Sequence, residues 1–213
     1  MRRYMSVVIL TLIALLTFGC ADPAANKPKA TVENAAPESG RAKPEGSMTF
    51  VITPENSKVE FVAAKVTRSH NGSFKQFAGA IDLVNNSVES SRVTIDIETN
   101  SVVTDEDGLT KHLQTPDFFD VAKYPKATFT STKIEAATAA GGTHNVTGNL
   151  DLHGIKKSIS FPATIQVASE SVSVIAEFAI NRKDFGIVYA GKADDLIRDL
   201  VVIKLTLKVP RKS

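Results

Sequence analysis

The chain has 213 residues, of which 43% are hydrophobic and 23% are charged, a composition typical of a folded protein and unlike that of a disordered or multi-pass membrane protein. Its 25 basic and 23 acidic residues leave a net charge of +2. Arg2 and Arg3 account for this excess, so no basic field is present to attract nucleic acid. A single cysteine excludes an intrachain disulfide framework.

The first 19 residues have the pattern of an export signal. Two arginines precede an almost wholly apolar run at 7–18. This run is shorter than the about 20 residues that a helix needs to span a bilayer. A charged start, a short apolar core and small residues behind it are typical of a signal peptide. We therefore predict export, with a lipoprotein-type signal over 1–19.

The only cysteine, Cys20, lies directly after this signal, in the sequence Leu16-Thr17-Phe18-Gly19-Cys20. The segment resembles a lipobox, although its leucine is one residue early and Thr17 and Phe18 occupy the variable positions. We predict lipidation of Cys20, which would anchor the protein in a membrane. The alternative is a thiol in a discarded signal. Ala21 follows the cysteine where an Asp favours inner-membrane retention, so we expect the periplasmic face of the outer membrane if the cell has one.

Residues 20–48 are rich in alanine and proline, contain no aromatic residue and carry balanced charges. Such a segment buries too little apolar area to offset the entropy of ordering. We predict a flexible tether that reaches about 30 Å r.m.s. from the anchor. The folded domain is expected over 49–213.

The remaining chain alternates apolar and polar residues with a period of two, as Val93, Ile95 and Ile97 do. This is the pattern of half-buried antiparallel strands. Leu109–Leu113 and Phe118–Val121 break it and predict a short helical segment near 108–121. Eight or more consecutive strands with short turns suggest a sandwich or a closed all-β barrel. A barrel of about eight strands would remove exposed edges and hold one small ligand. Strands are predicted at 49–53, 58–67, 73–84, 92–98, 127–135, 144–153, 155–167, 172–180 and 201–209, with turns at 71–72, 85–86, 141–142, 153–154 and 169–171.

Long motifs in this domain resemble those of the YceI-like family over about Phe50 to Val209. Two shorter matches are Ser57-x-Val59-x-Phe61 and Gly72-x-Phe74-x-x-Phe77-x-Gly79. The longer ones are His112-Leu113-x-x-x-Asp117-Phe118-Phe119-Asp120-Val121-x-x-Tyr124-Pro125-x-Ala127-x-Phe129-x-Ser131, Val146-Thr147-Gly148-Asn149-Leu150-Asp151-Leu152-His153-Gly154-Ile155-Lys156-Lys157 and Ile180-Asn181-Arg182-x-Asp184-Phe185-Gly186-Ile187.

The resemblance implies a lipocalin-like antiparallel β-barrel whose lumen holds a polyisoprenoid or similar amphiphile. It brings no catalytic mechanism and no cofactor. The first hypothesis is binding or carriage of a polyprenyl phosphate or isoprenoid quinone in the cell envelope. The second is an envelope stress or partner-binding lipoprotein with a closed, ligand-free barrel. A third, an enzyme acting on a lipid in the cavity, has no nucleophile motif or phosphate-binding loop to support it.

Candidate ligand-binding residues are the aromatic and polar side chains of these motifs. Each phenylalanine either packs in the core or faces the lumen. Arg182 either binds a phosphate or quinone oxygen or pairs with Asp184. His112 either caps a ligand head or bonds the adjoining strand. No histidine pair has metal-ligand spacing, and 105–108 is expected to be a solvated acidic turn rather than a calcium loop. The candidates are Phe74, Phe77, His112, Leu113, Phe118, Phe119, Phe129, Phe178, Arg182, Phe185 and Tyr189.

Overall fold

The computed structural model describes residues 21–37, 45–137 and 141–211. One α-helix, α1, spans Asp107–Leu113, and 3-10 turns lie at Thr99–Ser101 and Arg182–Phe185. The strands are β1 Thr31–Asn34, β2 Met48–Ile52, β3 Ser57–Ala64, β4 Ser69–Phe74, β5 Phe77–Val84, β6 Ser87–Glu98, β7 Val102–Thr104, β8 Lys126–Ala136, β9 His144–Leu152, β10 Ile155–Val167, β11 Ser171–Asn181, β12 Gly191–Lys192, β13 Asp195–Leu196 and β14 Leu200–Pro210.

Eight antiparallel staves form the barrel that the sequence predicted. A stave is here one strand, or two consecutive strands that together run along the barrel wall. β4 and β5 follow each other across two residues and act as one bent stave, and β6 and β7 form another. Each stave pairs with its neighbour in the chain, and β14 pairs with β3 to close the circle. β2 adds to β5 outside this circle. Closure satisfies the backbone groups that an open sheet edge would leave unpaired.

Two ends of the barrel differ in how they are filled. We call one of them the α1 end; it carries the loops 65–68, 105–125 and 182–199. The expected helical segment is present there, as α1 followed by turns. At the opposite end, buried aliphatic side chains fill the interior: Ile165, Val172, Leu207 and Val209. The space that remains inside the barrel is therefore displaced toward the α1 end.

The N-terminal segment, residues 21–37, differs from the expected tether. β1 pairs with β10 from Thr31↔Ser160 to Asn34↔Lys157. Just before it, the amide of Ala30 donates to Ala179 at 2.9 Å, and the Ala179 amide donates to Pro28 at 2.8 Å. The segment therefore inserts between β10 and β11. Those two strands pair with each other only over 164–167 and 172–175, which leaves a seam for the segment to occupy.

Contacts on either side of β1 hold the N-terminal segment in place. Ala24 is fully buried in a cluster with Ala179 and Val202. The Lys27 ammonium lies 2.9 Å from the Glu177 carboxylate and holds its pKa below the ordinary value. This packing is not evident from composition, because it depends on small side chains and backbone hydrogen bonds. The predicted signal and Cys20 lie outside the described residues.

The predicted turn at Asn71–Gly72 is also wrong, because both residues lie inside β4. His70, directly before this pair, is 5% exposed and lies in the same strand. The turns at 85–86 and 153–154 are present, and Asn85, Asn86, His153 and Gly154 have the positive φ angles that tight hairpin turns require. An Asn-Gly pair marks a hairpin only when both flanking strands end there, and β4 continues to Phe74.

Candidate ligand-binding cavity

A cavity of about 170 Å³ lies inside the barrel, toward the α1 end. Its wall is built from inward-facing residues of the staves together with side chains from the loops at the α1 end. Hydrophobic residues form 22 of its 24 lining positions, and the two charged residues are Glu60 and Arg182. Such a wall favours an apolar chain over any charged group.

Aromatic rings form much of this wall. Phe161 and Phe178, on the adjacent strands β10 and β11, stack with centroids 4.0 Å apart and planes at 11°. Phe129 meets Phe161 at 5.8 Å. Nearer the α1 end, the ring of Phe74 lies 5.8 Å from Phe61 and 5.6 Å from Phe119. The rings come from distant parts of the sequence, and only barrel closure brings them to one space.

The structure brings seven of the eleven candidate residues to this cavity. They are Phe74, Leu113, Phe118, Phe119, Phe129, Phe178 and Arg182. Four others lie in the packing outside its wall. Phe77 and Phe185 are buried in the main core cluster, whereas Tyr189 and His112 contact each other and Phe118. The ligand-binding role of the first group remains a prediction.

His112 is held by a neighbour in its own loop. Its Nε2 lies 2.8 Å from the Asp117 Oδ2, and the ring packs edge-on against Phe118 at 4.9 Å. Within the described residues its side chain bonds Asp117 and no strand, which differs from the structural alternative considered for it. The contact fixes the turn after α1 and so helps to place Phe118 in the cavity wall.

Most aliphatic members of the wall were not predicted from the sequence. They occupy the inward positions of strands that alternate apolar and polar residues. The alternation could have identified them if it had been known which set of alternate residues faces the lumen. Only the closed barrel shows which inward positions meet empty space and which meet other side chains. The missed hydrophobic residues are Val59, Phe61, Ala63, Ile95, Ile97, Ala127, Leu150, Leu152, Ile159, Phe161, Ile180, Ile187, Ile197, Val201, Ile203 and Leu205.

Arg182 is 5% exposed and its guanidinium is already engaged by the protein. It donates to the carbonyl oxygens of Ile187 at 2.6 Å, Arg198 at 3.2 Å and Ile197 at 3.4 Å. The same group lies 3.3 Å from Asp199 Oδ1. Burial lowers the pKa of Arg182 and the Asp199 carboxylate acts in the opposite direction.

The carboxylate partner of Arg182 is thus Asp199. The predicted partner was Asp184, which is nearer in the sequence. Four of the five guanidinium hydrogens have partners within the protein. These contacts hold the 187–190 and 197–199 segments together at the α1 end. The geometry therefore favours the structural role of the two that were considered, and contact of Arg182 with a ligand stays a prediction.

No α-helix within 21–37, 45–137 and 141–211 is long and apolar enough to cross a membrane. In the same ranges, no group of three or more His, Cys, Asp or Glu side chains is arranged to hold a metal ion. In the acidic turn, Asp105 accepts hydrogen bonds from the fold: its carboxylate lies 2.8 Å from His70 Nδ1 and 3.0 Å from the Asn71 amide.

The fold and cavity define a small antiparallel barrel of the lipocalin-like class, with an apolar interior. A family model for the YceI-like domain matches residues 50–209. The chain belongs to the YceI-like family. The N-terminal segment and β1 precede the part that the family model covers.

Relatives with known sequences support this assignment. A UPF0312 protein of Pseudomonas putida strain W619 is 34% identical over 123 residues, which are 55% of this chain and 63% of that protein. Protein YceI of Salmonella arizonae is 34% identical over 122 residues, 54% of this chain and 62% of the relative. The match thus spans less than two thirds of the length of these relatives.

Solved structures share the fold. Burkholderia cenocepacia BcnA superposes with a TM-score of 0.65 at 24% identity, covering 74% of this chain and 98% of BcnA. A polyisoprenoid binding domain from Saccharophagus degradans gives 0.61 at 20% identity, covering 78% and 99%. Campylobacter jejuni YCEI protein gives 0.55 at 26% identity, covering 67% and 85%.

Proposed function

We propose that this protein binds an uncharged isoprenoid lipid, such as an isoprenoid quinone, and that the tail of this lipid lies in the barrel lumen. The observation that carries the proposal is the cavity wall of hydrophobic side chains. Moving an apolar tail from water into such a wall is favourable by about 25 cal/mol for each Å² buried. The Saccharophagus domain, named for polyisoprenoid binding, supports the same ligand class.

The contacts of Arg182 favour one of the two head groups that the sequence left open. A polyprenyl phosphate needs cationic or multiple hydrogen-bond partners when it leaves water. Among the described residues of the cavity wall, the one cation is Arg182, and it is already engaged by three carbonyl oxygens and Asp199. A phosphate would have to compete with these contacts. An uncharged quinone head has no such requirement, so we favour the quinone class.

The size of the cavity bears on how a ligand would fit. Sites for small organic ligands usually have volumes of about 300–1,000 Å³, and this cavity has about 170 Å³. A long tail therefore requires wall side chains to move outward, and Phe118 and Phe119 are the candidates because they lie in the loop after α1 and not on a strand. The small volume also favours a second candidate: a ligand-free envelope protein that binds a partner through its surface.

We also propose that the protein works in the cell envelope. The support is the export pattern over 1–19 and the cysteine at position 20. Binding rather than catalysis is the activity proposed, in line with the YceI-like family assignment. Localisation follows from cell fractionation of the full chain beside its Cys20→Ser variant, with loss of the membrane-bound fraction expected for the variant.

The ligand is tested by purifying the full chain from bacterial envelopes and extracting it with organic solvent for mass spectrometry. We expect an isoprenoid lipid in a fixed ratio to protein, and uptake of an added isoprenoid quinone in preference to a polyprenyl phosphate. A protein that carries no isoprenoid and takes up neither probe would leave the partner-binding candidate ahead.

A matched pair of variants separates lumen binding from lipid adsorbed on the surface. Ala127 is 3% exposed and lines the cavity, so Ala127→Phe fills part of the lumen. Ala78 is exposed on β5, and Ala78→Phe adds the same ring to the outside. We expect the lipid-to-protein ratio to fall severalfold for Ala127→Phe alone. Equal ratios in both variants would place the lipid outside the barrel.

A further inference from the structure

Exposed apolar side chains collect at the α1 end. Among the described residues, the large hydrophobic side chains with 40% exposure or more are five in number. Three of them lie at this end: Val66 at 49%, Val188 at 64% and Leu196 at 48%. Single exposed hydrophobic residues are ordinary on protein surfaces. The feature to be explained is that three of them lie at the same end of the barrel.

These three side chains stand on segments that are bonded to one another. The amide of Val66 donates to the carbonyl oxygen of Leu196 at 3.1 Å. Val188 directly follows Ile187, whose carbonyl is joined through the Arg182 guanidinium to that of Ile197, the neighbour of Leu196. We call this set, Val66, Val188 and Leu196, the apolar rim. It adjoins the part of the cavity wall that Ile187 and Ile197 form.

The N-terminal segment, residues 21–37, is fixed beside the same rim. Arg198, two residues after Leu196, pairs with Asp22 at 3.3 Å. Ala24 is fully buried, and the segment then runs along the seam between β10 and β11. Cys20 comes two residues before Asp22, and the apolar run 7–18 precedes it. Any membrane attachment through these residues therefore begins within a few residues of the apolar rim.

The charges around the rim are largely compensated. Lys65 lies 2.8 Å from Asp195, and Arg198 is paired with Asp22. A surface of exposed aliphatic side chains between paired charges suits the interface of a bilayer, where apolar side chains enter and paired charges stay near the head groups. It gives no strong reason to require anionic lipid.

We propose that the apolar rim docks on the surface of a lipid bilayer, and that the N-terminal segment holds the α1 end of the barrel toward that membrane. The inference rests on the proposed envelope location. In this orientation the cavity faces the lipid phase, so an apolar ligand passes between membrane and lumen with little exposure to water. A flexible tether would instead leave the barrel without a preferred orientation.

The test places a fluorescent probe at single introduced cysteines in the full chain. Val188→Cys and Leu196→Cys report on the rim, and Ile175→Cys is the matched control, because Ile175 is 53% exposed on β11 and away from that end. The protein is reconstituted in phosphatidylcholine vesicles with a minor fraction of phosphatidylglycerol. Unmodified protein shows whether Cys20 itself takes the label.

We expect the probes at 188 and 196 to shift to the blue and to be quenched severalfold more by spin-labelled lipids than the probe at 175. Weak and equal quenching at all three positions on vesicle-bound protein would overturn the proposal, since it describes a barrel that turns freely. Failure of the wild-type chain to float with the vesicles overturns it as well.

A second pair of variants measures the contribution of the rim. Val188→Asp with Leu196→Asp removes its apolar surface, and Val51→Asp with Ile175→Asp makes the same change elsewhere on exposed strand positions. Both pairs carry the probe at Val66→Cys, and only the first pair should lower its quenching by spin-labelled lipids. Extraction of isoprenoid from the same proteins keeps the two proposals distinct, because an occupied lumen with no rim contact contradicts the membrane orientation alone.

Discussion

The ring of Phe61 lies directly over Gly72, its partner across the β3–β4 pair, and occupies the space that a side chain at position 72 would need. Gly72 is in a strand, not in a turn, and its backbone has no positive φ. Its role is therefore to make room. Phe61 lines the cavity, so the smallest residue in β4 helps to set the position of one of the rings in the cavity wall.

This relationship predicts the effect of Gly72→Ala. A methyl group there collides with the Phe61 ring, and we expect the free energy of unfolding to fall by about 1–3 kcal/mol, the usual cost of overpacking. Gly108→Ala in α1 is the control, because the nearest atom to its new Cβ is a side-chain oxygen of Glu106 at 3.7 Å. Urea unfolding of both variants measures the difference, and equal stability would contradict the packing role of Gly72.

Removal of the Arg182 guanidinium should be costly for the fold. Arg182→Met leaves the carbonyls of Ile187, Ile197 and Arg198 without this donor, and we expect a loss of about 3 kcal/mol. Lys183→Met, which breaks an exposed pair with Asp199, should change stability by less than about 0.5 kcal/mol. Chemical denaturation at neutral pH compares them. If the two variants were equally stable, the contacts of Arg182 would not be needed for the fold, and a ligand-binding role would be favoured instead.

The N-terminal segment offers a comparison between adjacent alanines. Ala24 is fully buried, whereas Ala25 is exposed. Ala24→Asp puts an unpaired carboxylate among Val62, Ala179 and Val202, so we expect the segment to detach and the amides of β1 to exchange hydrogen at least about tenfold faster, equivalent to about 1.4 kcal/mol.

Ala25→Asp is expected to leave the protection of β1 unchanged. Hydrogen exchange followed by mass spectrometry reads the peptide that contains Thr31–Asn34 in both proteins. Fast exchange of this peptide already in the wild-type chain would show that the segment behaves as the free tether that its composition suggested.

The acidic turn before α1 predicts a pH dependence. The Asn71 amide and His70 hold the pKa of Asp105 below its ordinary value. A carboxylate with a lowered folded pKa stabilises the protein above the unfolded pKa of about 3.9, and that stabilisation is lost as the pH falls through the folded value. The Tm of Asp105→Asn should therefore be lower than that of wild type near neutral pH. The difference between the two Tm values should become smaller near pH 3.

The control for this experiment is Asp194→Asn, an exposed position on the β12–β13 hairpin. We expect the Tm of this variant to follow wild type across the same pH range. A gap between Asp105→Asn and wild type that does not depend on pH would mean that shape, rather than charge, is what Asp105 contributes.

Much of the fold was predictable from local pattern. The alternation at 92–98 lies in β6, and the break in alternation after 108 lies at α1 and the turns that follow it. Such patterns are readable because a strand that is buried on one face must alternate, and a helix must not. The motifs around Phe118 and Arg182 were likewise sufficient to indicate the family that the full comparison shows.

What the sequence by itself determined was the β-strand content, because this depends on the order of side chains along single strands. The resemblance of its motifs to a family added the barrel class and the family. Only the tertiary structure decided that Arg182 bonds Asp199, that Gly72 makes room for Phe61, and that the N-terminal segment fills a seam. Each of these joins residues that strand closure brings together. Hydrogen bonds of the backbone and contacts of small side chains leave little trace in composition. They can therefore be seen only in the tertiary structure.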